Sequence, residues 1–192
     1  MTEQPQAKQL RADARRNVEG IRQAALEVFR DSGLGTPLDD VARAAGVSKG
    51  TIYHRFGSRQ GLIDAIVEEL VAERFQGIVT RVQALDDPGE RLESYLRQVW
   101  LLQFDEPAAN DVLLRTMPDS DTVRSLCDHL SDVGEQLLFH AQAAGAIRSD
   151  LTSEDLYLLI WERGLIARAC EAQTRESYQR RFEYTLAGLR VG

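Results

Sequence analysis

The chain has two cysteines in 192 residues, Cys127 and Cys170. They are too few and too far apart for a disulfide framework. Both are expected as small apolar packing residues in a reducing compartment. No run of eighteen apolar residues occurs, which excludes a membrane-spanning helix. Met1–Leu10 is polar and lacks the apolar stretch of a secretory signal, so the expected location is the cytoplasm. No segment sustains the period-two alternation of a half-buried strand, so no sheet is expected. Repeats and low-complexity tracts are missing too. So are catalytic constellations. Gly33-x-Gly35-x-x-Leu38 lacks a third glycine and follows a helical stretch, which rules out a dinucleotide loop. No serine sits in a nucleophile elbow. Cys127 and His129 are two residues apart on a helical stretch and point different ways. His129 and His140, eleven apart, share roughly one helix face, where packing is favoured over a metal or ligand role. The expectation is therefore no enzyme, no cofactor and no metal.

What is present begins with charge. The net charge is −7, an unpromising sum for a partner of nucleic acid. The distribution reverses that impression. Residues 1–60 carry ten Lys and Arg against seven acids, and residues 61–192 carry thirteen against twenty-three. A basic head and an acidic body suit a protein whose head alone meets a polyanion.

The most informative segment is Leu38 to Phe56, LDDVARAAGVSKGTIYHRF. Leu38, Val41, Ala42 and Ala45 fall at helical spacing on one face. Gly46 marks a turn where the backbone needs positive φ. Val47 plugs the corner, and Ser48 is placed to cap a second helix with its hydroxyl. Ile52 and Phe56 are the buried side of that helix. Lys49, Gly50, Thr51, Tyr53, His54 and Arg55 remain outward. A cation, hydroxyls, an aromatic ring, an imidazole and a gap without a side chain suit phosphates and base edges in a major groove. The flanks complete a small unit. Ile21, Ala25, Val28 and Phe29 form one face of a preceding helix that stops at Gly33. Thr36 is free to cap the next helix, with Pro37 tolerated in its first turn. Ser58 caps a longer helix opening at Arg59.

The segment from about Arg16 to Glu69 resembles the N-terminal domain of the TetR family of bacterial transcriptional regulators. The resemblance rests on Ile21, Ala24, Ala25, Phe29, Gly33, Thr36, Val41, Ala42, Ala45, Gly46, Val47, Ser48, Gly50, Thr51, Ile52, Tyr53, Phe56, Leu62 and Ile63. Arg59 stands where lysine is usual in the family, and Gln60 where glutamate is usual. The stretch from Gly145 to Leu156 also resembles a recurrent segment of some members, less specifically. The resemblance implies an all-α protein. Residues 14–60 would form a helix-turn-helix DNA-binding domain, and 61–192 a helical ligand-binding and dimerisation domain. Residues 1–13 read as a flexible tail, either solvated or an arm for the minor groove.

In the body, helices are expected between breaks at Asp86–Gly89, Asp105–Pro107, Pro118–Asp119 and Gly145–Thr152. Leu156 to Trp161 is apolar at six successive positions, and a helix apolar all round is buried on more than one side. Leu156, Ile160, Gly164 and Ala167, with Tyr178, Phe182, Leu186 and Leu189 of the last helix, are the expected two-fold interface, built as a four-helix bundle. A monomer burying both helices internally is the alternative. Trp100, Phe104, Met117 and Trp161 are large, apolar and spread over separate helices. The resemblance implies a pocket among these helices, with these four residues and His129 as its lining.

The function expected is a homodimeric, ligand-responsive transcriptional repressor. Its operator would be an inverted repeat in double-stranded DNA, and an apolar small-molecule effector would release it. Lys49, Thr51 and His54 are the expected base contacts. Thr36, Ser48, Tyr53 and Arg59 are the expected phosphate contacts, with Gly50 giving close approach. The competing reading is a helical small-molecule-binding protein or enzyme that never meets DNA. It would need a polar catalytic cluster in the body, and none is found.

Overall fold

The computed structural model describes residues 5–114, 116, 119–170 and 173–191. Among them every regular element is helical: α1 Pro5–Ser32, α2 Leu38–Ala45, α3 Lys49–Phe56, α4 Arg59–Val67, α5 Glu73–Gln83, α6 Pro88–Asp105, α7 Pro107–Leu113, α8 Asp121–Ala143, α9 Ser153–Ala169 and α10 Arg175–Leu189. A π-helical turn, Glu68–Ala72, joins α4 to α5. The one extended pairing among the described residues is an isolated antiparallel bridge between Ile147 and Arg190.

Local chemistry explains most boundaries. Ser48, Ser58, Asp87, Ser120 and Thr174 each accept a backbone N–H in the first turn of the helix that follows. Thr152 and Asp155 close a full capping box at the start of α9. Pro88 and Pro107 sit in first turns, where the missing N–H costs nothing. Thr36 departs from expectation. α2 begins after Pro37 with no side-chain cap, and the Thr36 hydroxyl instead donates to the carbonyls of Gly33 and Ser32 at 2.9 and 3.1 Å. The tail is also different. Where a loose segment is expected over 1–13, the backbone is helical from Pro5, and Met1–Gln4 lie outside the described residues. Residues 6–16 are rich in Ala, Arg and Gln without glycine, a composition that favours helix over coil.

One hydrophobic core runs through the molecule. It starts at Ile21, Phe29, Leu34, Val41 and Ile52, passes along α4 through Leu62, Ile63, Ile66 and Val67, and continues to Trp100, Leu130 and Phe182. The expected division at residue 60 therefore falls inside α4, which packs on α1 and α3 and also on α8. The head has no linker to swing on.

The last two helices correct the interface reading. Tyr178, Phe182 and Leu186 are at most 2 % exposed, and Leu156 and Leu189 are buried, all within a single protomer. Trp100 and Phe182 lie 5.4 Å apart between ring centroids, and Phe104 stacks on Tyr178 at 4.9 Å. The α10 stripe faces α6, not a partner. Gly164 does permit close approach, but a Cβ there would strike the side chains of Gln103 and Asn110 in the same chain. Ile160 and Ala167 are half-buried against the same core. The apolar face of α9 that stays outside is Tyr157, Leu158, Trp161 and Leu165, between 36 and 41 % exposed. Periodicity could not choose between faces on a helix that is apolar nearly all round.

Candidate nucleic-acid interface and effector cavity

Two places carry chemistry: the outer face of α3 and a cavity in the body. The α3 face is fixed from beneath. Gly46 adopts φ 67°, a left-handed conformation that ends α2 and turns the chain. The Ser48 hydroxyl accepts from Thr51 N at 3.1 Å and lies 2.9 Å from the Thr51 hydroxyl. Ile52 is wholly buried and Phe56 is packed on the core. Lys49, Gly50, Tyr53, His54 and Arg55 are exposed and Thr51 is half-exposed, so all six residues expected outward reach the surface.

Both the lysine and the arginine among the expected DNA contacts have partners within the chain. Lys49 Nζ donates to Asp39 Oδ2 at 2.8 Å across the turn. That hydrogen bond lowers the Asp39 carboxyl below its usual range and raises the Lys49 ammonium. Arg59 donates to the Leu34 carbonyl and lies over the Phe29 ring, 5.4 Å from its centroid. Burial pulls its guanidinium below the ordinary value, though it remains charged. Arg59 thus ties the start of α4 to the α1–α2 turn.

Two cations of α1 stand beside the outward Arg55. Arg15 and Arg16 of α1 and Arg55 of α3 line one surface hollow with Ala14, Val18 and Glu19.

The cavity lies between α6, α7, α8 and α9 and measures about 90 Å³. Its walls are Tyr95, Leu113, Cys127, Leu130, Gly134, Leu156 and Ile160. Ser131, Glu135, Ser153, Tyr157 and Trp161 surround its mouth. Of the expected ligand residues, Trp161 alone among the described ones lines it. Trp100 is fully buried between Phe182 and the Arg163 guanidinium, 5.6 Å from the ring centre. Phe104 belongs to the same aromatic core, His129 is exposed on α8 outside the lining, and Met117 lies outside the described residues. Two residues expected at the interface, Leu156 and Ile160, belong to the cavity wall. Cys127 is buried there, its thiol donating to the Val112 carbonyl at 3.2 Å. Cys170 is exposed, against expectation, because it falls just past the end of α9.

Cavity and head meet at α7. The Asp111 carboxylate is 7 % exposed; one oxygen accepts from Leu34 N in the head at 2.7 Å, the other from Arg168 Nη1 of α9 at 2.7 Å. Gly33 has φ 83°, and a side chain there would press on Asp111 as well as strain the backbone. Next to it, Asn110 donates to the Gly164 carbonyl of α9 at 3.0 Å. One short helix therefore holds both the head's turn and the helix that walls the cavity.

This architecture is that of a helix-turn-helix protein with a helical body. Two family models together match most of the chain: one for bacterial regulatory proteins of the tetR family over residues 21–66, and one for the SbtR-like transcriptional regulator C-terminal domain over 87–191. The chain belongs to the TetR family of transcriptional regulators. It is 28 % identical over 128 residues to the HTH-type transcriptional regulatory protein RaaS of Mycobacterium tuberculosis, an alignment covering 67 % of this chain and 58 % of that protein. The chain thus spans little more than half the length of that relative. A TetR regulator from Streptomyces coelicolor is 29 % identical with a TM-score of 0.55, covering 90 % of this chain and 98 % of that one. AibR, solved with isovaleryl coenzyme A and operator DNA, shares the fold at 19 % identity, with a TM-score of 0.69 over 90 % of this chain and 97 % of its own. No helix among the described residues is long and apolar enough to cross a membrane.

Proposed function

We propose that the protein is a homodimeric repressor that binds an inverted-repeat operator through α3 and leaves it when a largely apolar molecule enters the α8–α9 cavity. The observation that carries this reading is the α3 face: six outward residues of DNA-contacting type on a helix locked by Gly46, Ser48 and Ile52. Lys49, Thr51 and His54 read base edges. Ser48 and Tyr53 bind phosphates, joined by Arg15, Arg16 and Arg55, while Gly50 admits the backbone of the duplex closely. Thr36 and Arg59 act from behind, by holding the α1–α2 turn and the start of α4. The second copy docks on the exposed α9 face, Leu158 and Leu165, because an exposed apolar stripe marks an interface.

Size governs the response. Pockets that hold drug-sized ligands run to about 300–1,000 Å³. This cavity is about 90 Å³, so a ligand must move α9 away from α8. Moving α9 pulls on Arg168 and Gly164, hence on Asp111 and Asn110, hence on the Gly33–Leu34 turn. The π-helical turn at Glu68–Ala72, packed on α7, is where the long helix can absorb the shift. A ligand changes operator affinity only by its preference for one of the two states, typically about 1–3 kcal/mol.

The pair Lys49 and Asp39 supplies the test. DNA must take Lys49 from Asp39, so Asp39 holds back affinity for any duplex. Asp39→Asn is expected to tighten binding to operator and random duplex alike. Lys49→Ala is expected to weaken the operator complex by about 1–3 kcal/mol and relax its sequence preference. Fluorescence anisotropy with both duplexes at one fixed salt concentration decides. If neither variant moves either affinity, α3 is not the reading surface.

A further inference from the structure

The lining of the cavity says which charge its ligand carries. Among its twelve lining residues there is one ionisable carboxylate, Glu135, and no lysine, arginine or histidine. Glu135 is exposed at the mouth, on α8, and among the described residues its side chain accepts one hydrogen bond, from the Ser153 hydroxyl at 3.2 Å. Nothing cationic on the neighbouring helix answers it. On α9, Arg163 is engaged over the Trp100 ring and with Thr185, and Arg168 is engaged by Asp111. On α8 itself, Asp132 stands one turn from Glu135 on the same side, deepening the negative potential. The rings of Tyr157 and Trp161 sit at the same mouth. Aromatic faces attract cations, more strongly as water is excluded.

We propose that the effector is an amphipathic cation: an apolar body that fills the space beneath Leu130, Leu156 and Ile160, and a protonated or quaternary nitrogen held at the mouth by Glu135 between Tyr157 and Trp161. A carboxylate or phosphate at this mouth would face Glu135 with no counter-charge in the lining. The inference rests on the reading of this cavity as the effector site, and the test separates the two.

The probes are three molecules with one naphthalene body: 1-naphthylmethylamine, which is cationic at neutral pH, 1-naphthalenemethanol and 1-naphthylacetate. Each is titrated calorimetrically into the full-length protein, and its effect on DNA binding is read by anisotropy with a labelled duplex. The amine is expected to bind at least tenfold more tightly than the alcohol, and the acid weakest. Glu135→Gln is expected to remove the amine's advantage and leave the alcohol unchanged. Glu135→Lys is expected to invert the order in favour of the acid. Both substitutions lie on the surface, and unchanged melting curves confirm that the fold is kept. Three probes of equal affinity, still displaced by Trp161→Ala, would overturn the charge selection and leave the cavity as the effector site. A preference for the acid in the unmodified protein would overturn it as well. No binding of any probe, with no effect on the duplex complex, would overturn both.

Discussion

Replacing Leu158 and Leu165 together by glutamate is expected to give a folded monomer that no longer holds an operator. Both leucines lie seven residues apart on the outer face of α9 and are 41 and 39 % exposed, so the charges meet water in the isolated protomer. In a dimer they would meet an apolar surface and each other. A stable interface buries about 800 Å² per partner, and four like charges at its centre remove the gain. A single head makes half the phosphate contacts. Its operator affinity should fall by about 10³-fold or more, towards the non-specific level. Sedimentation and circular dichroism check the two halves of the result. The contrasting pair, Phe182→Glu with Leu186→Glu, is expected to unfold the protomer instead, since both side chains are buried in its own core. A Leu158/Leu165 double variant that still sediments as a dimer would move the interface elsewhere.

Trp100→Ala is expected to destabilise the protein by about 3–5 kcal/mol, the usual cost of deleting a fully buried large aromatic. Trp100 fills the space between α6 and α10 against Phe182 and beneath Arg163. At about 2–4 °C per kcal/mol for a chain of this size, the melting temperature should fall by roughly 6–20 °C. Trp161→Ala, at the cavity mouth and 36 % exposed, should lower the melt far less and damage the response to a bound molecule. Thermal melts beside probe titrations distinguish the two tryptophans. Equal losses of stability at both sites would show that Trp161 is core as well.

The two tryptophans illustrate what was legible and what was not. The head was legible because its turns impose residue types at fixed offsets. Gly46 must reach positive φ, Ser48 must cap, and Ile52 and Phe56 must share a face; each demand is local, and the backbone meets all of them. The body lacks such demands. α9 is apolar on nearly every side, so its sequence contains no phase, and Leu156 and Ile160 were assigned to a partner when they wall a cavity. On α10 the stripe Tyr178, Phe182, Leu186 and Leu189 was the right stripe, but periodicity does not say whether the opposing helix belongs to the same chain. Long-range polar contacts were equally invisible. Asp39 and Lys49 meet across a turn ten residues on, and Asp111 reaches Leu34 over 77 positions. Nothing in either local sequence announces the other. Arg59 is expected at a phosphate because it keeps the charge of the family's usual lysine. The fold turned it onto Phe29 instead.

The central claim is that α3 presents a sequence-reading face to duplex DNA, twice per assembly. Selection of bound sequences from a random duplex library by the unmodified protein tests it most directly. The account predicts enrichment of one motif with two inverted half-sites about one duplex turn or more apart. It also predicts that Lys49→Ala, carried through the same selection, loses information at matching positions in both halves. A library that emerges without an enriched motif, or a single half-site whose information content is untouched by Lys49→Ala, would contradict it.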